Sequence, residues 1–265
     1  MDIYQDFIRR EAKAIEVEHR RAMKQDAATL DRLISGDGAE LPAETKADVI
    51  FGGLNRRRFL MFGGTAIATS AVFAACKGAT PSVAPAPASP PTTAPQISTK
   101  DIIILRTASS IEALAVAVYT KALATGLVKT AAIVSFAKLF QSQHQQHADL
   151  FERNTKSAGG TPYTDPNPLL MQQVVEPRLA GLTTEMDVVN LAYDLEHLAA
   201  GTYQGDIGLF DNPKLNVVIA SVGGTEARHV ALLAVVNGKS ATGTPDNAFQ
   251  ADQDAVKPGT GVSGV

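Results

Sequence analysis

Along residues 100–238, apolar residues recur in long runs with helical spacing, and the runs stop at a few sharp points. The pattern predicts a first helix from about Asp101 to Thr125, ended by Gly126. A second runs from about Lys129 to Ser157 and ends at Gly159-Gly160. A third starts at Thr184, as N-cap, and continues to about Gly208. A fourth starts at Asn212-Pro213, a cap followed by a first-turn proline, and ends at Gly238. Between the second and third lies a crossover of about 25 residues with Pro162, Pro166, Pro168, Pro177 and one short helix around Leu169–Val175. Two hairpins joined by one long crossover make a four-helix bundle, so the expected fold class is all-α.

The polar residues inside these runs carry the chemistry. Around Glu112 the sequence is IEALAVAVY, with no other charge. A helix apolar on nearly all sides is buried, and a lone buried carboxylate must be paired, protonated or metal-bound. The third helix repeats the arrangement: Glu112 is followed seven residues later by Tyr119, and Glu196 seven later by Tyr203. HQQHADLF (144–151) aligns with EARHVALL (226–233), each ending in His-x-x-Leu-[Phe/Leu]. From Glu112 to His147 is 35 residues and from Glu196 to His229 is 33, so the domain reads as a duplicated helix pair. On a helix, residues three apart face the same way. The odd helices therefore offer Glu112 and Glu196, and the even ones offer His144 with His147 and Glu226 with His229.

A Glu from two helices and a Glu-x-x-His from each of the other two is the ligand pattern of a dinuclear metal site in a bundle. On these residues, residues 100–238 resemble the ferritin-like superfamily, and in particular exported bacterial ferritin-like domain proteins. The resemblance implies a ferritin-like four-helix bundle with one long crossover between helices two and three. It also implies a metal centre held by Glu112, His144, His147, Glu196, Glu226 and His229, with iron or manganese as the ions. His144 departs from the family pattern, which has a Glu there. Three carboxylates and three imidazoles remain, and late first-row ions gain most from imidazole, so zinc or copper also fit. Imidazole ordinarily binds one metal, so an uneven site is expected: nitrogen-rich around His144 and His147, the other position nearer Glu226 and His229. His197 points about 100° away from Glu196 around its helix and reads as a surface or supporting residue. Tyr119 and Tyr203 read as packing or hydrogen-bonding partners. Gly223-Gly224, one turn before Glu226, either relieve crowding near the site or weaken the helix. Asp149 and Glu152 are poorly spaced from His147 to replace the missing carboxylate.

The remainder of the chain sets the location. Residues 55–76 read NRRRFLMFGGTAIATSAVFAAC, an arginine cluster before an apolar run too short and too rich in small residues for an ordinary span. The stretch resembles a twin-arginine (Tat) export signal with Arg56 and Arg57 as the pair. Phe73-Ala74-Ala75-Cys76 resembles a bacterial lipobox, with Phe73 where Leu is usual. Three fates fit: lipidation at Cys76, plain cleavage near Val72-Phe73-Ala74, or an uncut anchor. The lipoprotein reading expects the Tat machinery as partner and a cell-envelope location, anchored to the membrane by lipid. Residues 77–99, rich in Pro, Ala, Ser and Thr, read as an extended tether. Residues 1–54 form a charged N-terminal extension whose Ile3, Phe7, Ile8, Ile15, Leu30, Leu33 and Ile34 make only a thin stripe. His19, among charges there, reads as solvated and not as a ligand. Residues 239–265 are a Gly-, Asp- and Pro-rich tail.

Lys plus Arg is 24 against 27 Asp plus Glu, which leaves no nucleic-acid footprint. The single Cys excludes an internal disulfide and a thiolate-rich zinc site. Three functional readings stay open: a redox metalloprotein acting on oxygen or peroxide, a metal-binding lipoprotein without turnover, or a structural bundle that has lost its metal. A membrane tether argues against assembly into a storage shell.

Overall fold

The computed structural model describes residues 3–34, 97–239 and 255–262, all within one compact unit. The expected export signal, with Arg56, Arg57 and Cys76, and residues 77–96 of the expected tether lie outside the described residues, whereas Ser98 and Thr99, expected in the tether, cap and begin the first bundle helix. The described elements are helical: α1 (Ile3–Ile34), α2 (Thr99–Ala124), α3 (Ala131–Ser157), a crossover built from α4 (Pro168–Leu170), a π-helical stretch (Met171–Val175) and α5 (Glu176–Ala180), then α6 (Glu185–Asp206) and α7 (Leu215–Val236). Helices α2 and α3 form one hairpin and α6 and α7 a second, with α2 meeting α6 between them. This is the expected bundle.

Local chemistry sets the ends. Ser98 and Asp101 form a capping box at the start of α2, and Thr184 and Asp187 do the same for α6. Asp101 has a second task. Its buried carboxylate accepts hydrogen bonds from the backbone N–H groups of Asp211 (2.7 Å) and Asn212 (3.2 Å), tying the start of α2 to the α6–α7 turn. Helix α7 begins at Leu215, later than Asn212-Pro213 predicts, because Asn212 caps the preceding turn through Lys214 N–H. The crossover is helical over 168–180, longer than the expected short helix. Pro177 sits in the first turn of α5, where a missing N–H is tolerated.

Helices α2 and α7 are apolar and long enough to cross a membrane by composition alone, yet much of each is buried in the bundle. The tail is partly built in. Val256 N–H donates to Thr202 Oγ1 (2.9 Å) and Gly259 N–H to Thr107 Oγ1 (2.8 Å), so residues 255–262 lie across α2 and α6. Gly261 has φ of 74°, and a Cβ there would stand 2.3 Å from Asn167 Oδ1, so only glycine lets this segment close on the crossover.

The N-terminal helix departs most from expectation. It packs against both α3 and α7. Ile8, Ala12 and Ile15 fill a cluster with Phe136, Phe140, Leu232 and Leu233, and Met23 touches the neighbouring core. The stripe continues in phase through His19, which is 1% exposed. His19 is therefore not solvated. It lies four residues after Ile15 and four before Met23, on the buried face of α1.

Candidate metal centre

All six candidate ligands converge in the middle of the bundle, each at most 2% exposed. They form two overlapping groups: Glu112, His144, His147 and Glu226, and His144, Glu196, Glu226 and His229. Within each group the ligand atoms lie within 4.8 Å of one another. His144 and Glu226 belong to both. His144 Nδ1 is 2.7 Å from Glu112 Oε2, and its Nε2 is 2.9 Å from Glu196 Oε1. Glu226 reaches His147 Nδ1 at 2.8 Å through one oxygen and His229 Nδ1 at 2.9 Å through the other. The two groups of donors are alike in composition when His144 is counted in both. Each group holds two carboxylates and two imidazoles, because His144 turns one ring nitrogen to each side.

The tyrosines cross over. Tyr119 O–H donates to Glu196 Oε1 at 2.6 Å, and Tyr203 O–H donates to Glu112 Oε1, so each tyrosine serves the glutamate of the other hairpin. This exchange is the pseudo-twofold implied by the sequence duplication. Gly223 explains how α7 approaches: a Cβ there would stand 3.1 Å from Tyr203 Cβ. Gly224 meets only the tip of Arg228 and relieves no crowding. His197 is exposed and lies away from the centre, near Tyr193. Asp149 and Glu152 are in neither group. Helices α3 and α7 meet through side chains, with the Phe140 ring stacked on His229 at 3.7 Å between ring centres.

Two supporting residues escape a reading of sequence alone. Gln143 is buried beside His144, and its Oε1 accepts a hydrogen bond from His229 Nε2 at 2.7 Å. That bond fixes the tautomer and turns Nδ1 toward Glu226 and Glu196, as an outer partner orients a metal-binding imidazole. Nothing in QSQHQQH distinguishes Gln143 from its neighbouring glutamines. The second is His19, whose ring stands edge-on to His147 at 4.9 Å between centres. Neither of its ring nitrogens has a hydrogen-bond partner. Its phase with Ile8 and Ile15 was the available signal.

Electrostatics bind the cluster together. Burial alone would push Glu112 up, but His147 and His144 beside it hold it down at about 2. Glu196 is likewise held well below its usual range by His144 and His229. Burial works against charge on the imidazoles too, yet Glu112 and Glu226 raise His147 to about 9. Glu196 and Glu226 raise His144 and His229. Without metal, the carboxylates therefore favour the protonated form of all three imidazoles. His19 behaves in the opposite way: burial and the neighbouring His147 lower it to about 3, so it is neutral.

The donor set fits a transition-metal ion. Mixed carboxylate and imidazole groups suit divalent first-row ions, and burial in apolar surroundings needs a compensating charge. His147 Nδ1 and Glu226 Oε1, though 2.8 Å apart, lack hydrogen-bond geometry. With the His147 ring neutral, its Nδ1 lone pair and the Glu226 oxygen would face a shared space, as an ion between them requires. On the α2–α6 side an apolar cavity of about 40 Å³, lined by Leu114, Val118, Leu191 and Leu195, reaches Glu112, His144 and Glu196.

The sequence profile of the ferritin-like domain matches residues 100–239. The chain belongs to the ferritin-like domain family. It matches no curated protein and no solved structure. The ferritin-like match covers all four bundle helices except the first residue of α2, and leaves α1 outside.

Proposed function

We propose that this ferritin-like protein binds one or two transition-metal ions through Glu112, His144, His147, Glu196, Glu226 and His229. The observation that carries the reading is the pair of overlapping groups that share His144 and Glu226. In this reading Glu226 could serve either ion and a neutral His144 one of them, while Glu112 with His147 and Glu196 with His229 would supply the other donors. Tyr119, Tyr203 and Gln143 hold the donors in place. One divalent ion with three neutral imidazoles leaves a net charge of −1, and two leave +1, so single and double occupancy lie equally far from neutrality. Iron or manganese is favoured by family likeness, and zinc or copper by the third imidazole.

A bound redox-active ion supplies electrons and an open position for a small oxidant such as dioxygen or peroxide. The apolar cavity beside Glu112 and Glu196 suits a molecule of that size and polarity. The chain's own part is to exclude bulk water with the Leu114–Val118–Leu191 wall and to hold the carboxylates through the tyrosines. We place this activity in the cell envelope, after Tat export directed by Arg56 and Arg57 and lipid attachment at Cys76. The RRRFL cluster, the lipobox-like FAAC and the following tether support that placement.

A metal-free structural role is the competing reading. It is favoured by His144, which as an imidazolium satisfies Glu112 and Glu196 together. Elemental analysis of the full chain as purified, with cobalt(II) titration after chelator treatment, separates the two. Bound metal in at least equimolar amount supports the proposal, and no uptake of cobalt(II) overturns it.

A further inference from the structure

The N-terminal helix lies outside the ferritin-like match, yet it delivers a buried imidazole to the edge of the centre. We infer that His19 is a further nitrogen donor to an ion held at His147, so that the centre is built from five helices rather than four. This rests on the metal-binding reading above.

Three independent observations support the inference. First, His19 is 1% exposed and neither ring nitrogen has a partner. Buried polar groups in folded proteins are nearly always satisfied, so an imidazole orphaned at both nitrogens marks a missing ligand. The polar side chains that bear on it are His147, His229, Gln146 and Arg228; Gln146 is near enough to interact but leaves both ring nitrogens without hydrogen-bond geometry, and Arg228 is a cation. Second, the spacing suits shared coordination. Imidazole nitrogens sit about 2.0–2.1 Å from a bound zinc ion, which puts two cis-bound ring centres roughly 4.5–5.2 Å apart. The His19 and His147 centres are 4.9 Å apart, and the rings are turned 68° to each other. Third, α1 has a reason to be where it is. Its stripe of Ile8, Ala12 and Ile15 seats it across α3 and α7, the two helices that carry the histidines. That seating buries His19 beside His147. His19 belongs to neither of the two compact donor groups, so it meets the ion from outside them, on the His147 side.

The test uses the full chain, cobalt(II) as probe, and His19→Ala. Wild type should bind cobalt(II) with a visible ligand-field spectrum. In His19→Ala the affinity should fall roughly 10–100-fold and the spectrum should change. Millimolar free imidazole should then restore both, since it can occupy the space the side chain leaves. A merely packing role predicts no rescue. Should His19→Ala fail to fold, His19→Gln, with X-ray absorption counting of imidazole ligands, gives the same reading: one fewer imidazole than wild type. Unchanged binding and spectrum, or loss without rescue, overturns the inference while leaving the six-residue centre standing. If wild type takes up no cobalt(II), both fall.

Discussion

Replacing His144 by Glu tests the charge balance at the heart of the bundle. In the metal-free protein, three imidazoles whose protonated form the carboxylates favour lie among three glutamates, and His144 alone contacts both Glu112 (2.7 Å) and Glu196 (2.9 Å). His144→Glu removes the group that pairs both carboxylates and puts a fourth carboxylate in its place. Breaking a buried pair by removing one partner costs about 3–5 kcal/mol, so the metal-free variant should melt well below wild type. Metal reverses the order. Two divalent ions leave +1 in wild type but exactly balance four carboxylates in the variant. A unit charge about 4 Å away at an effective dielectric of 20 is worth about 4 kcal/mol, or roughly a thousandfold in affinity for the second ion. The assay is manganese(II) or iron(II) titration of chelator-treated protein, with stoichiometry by elemental analysis and thermal melting at each point. Wild type should hold one ion tightly and a second weakly, and His144→Glu should take up two. Equal uptake of two ions by both proteins, with equal metal-free stability, refutes the reasoning.

The raised imidazoles make metal binding proton-linked: the carboxylates favour their protonated form, a metal needs them neutral, and so affinity should rise with pH. Calorimetry in buffers of different ionisation enthalpy should detect up to three protons released per site, and none released would contradict the pairing described here. Metal-free stability should move the other way. The His147 contribution, of order 3 kcal/mol, is complete below its unfolded value of 6.5 and lost as pH rises through about 9, which urea unfolding across that range would show. Gly223→Val should destabilise by about 1–3 kcal/mol by crowding Tyr203, whereas Gly224→Ala should stabilise by about 0.5–1 kcal/mol, both read from denaturation midpoints. Replacing Arg56 and Arg57 by Lys should strand the protein in the cytoplasm on fractionation. Mass spectrometry of the mature N-terminus should find a diacylglyceryl group on Cys76, and cleavage at another bond would rule it out.

The bundle and its six polar residues were legible because they break a pattern. Glu112 and Glu196 interrupt apolar helices, and the two i, i+3 pairs repeat at matching separations, so each residue was conspicuous against its own neighbours. What the chain order concealed depends on contacts between helices. The crossed tyrosine bonds need both hairpins in place, and so does the even division of donors, which follows from His144 presenting opposite nitrogens to opposite sides. Gln143 was hidden among chemically identical neighbours. His19 was hidden differently. Its phase with Ile8 and Ile15 was visible, but the surrounding charges and the export-like segment downstream argued for treating the whole stretch as solvent-exposed. The longer crossover helix shows Pro168 acting at a first turn, where it starts a helix rather than ending one.

Cys76 lies between α1 and α2 along the chain, and this gives the docking of α1 a temporal side. While the polypeptide is intact, the docking of α1 on the bundle is intramolecular. A cut at Cys76 turns the same contact into a bimolecular complex, resting on a short stripe around Ile8, Ile15 and His19. A peptide so freed, once diluted, departs from the bundle. Were Cys76 the place of such a cut, processing would also be an unlatching step, after which the His147 face of the centre meets its surroundings for the first time.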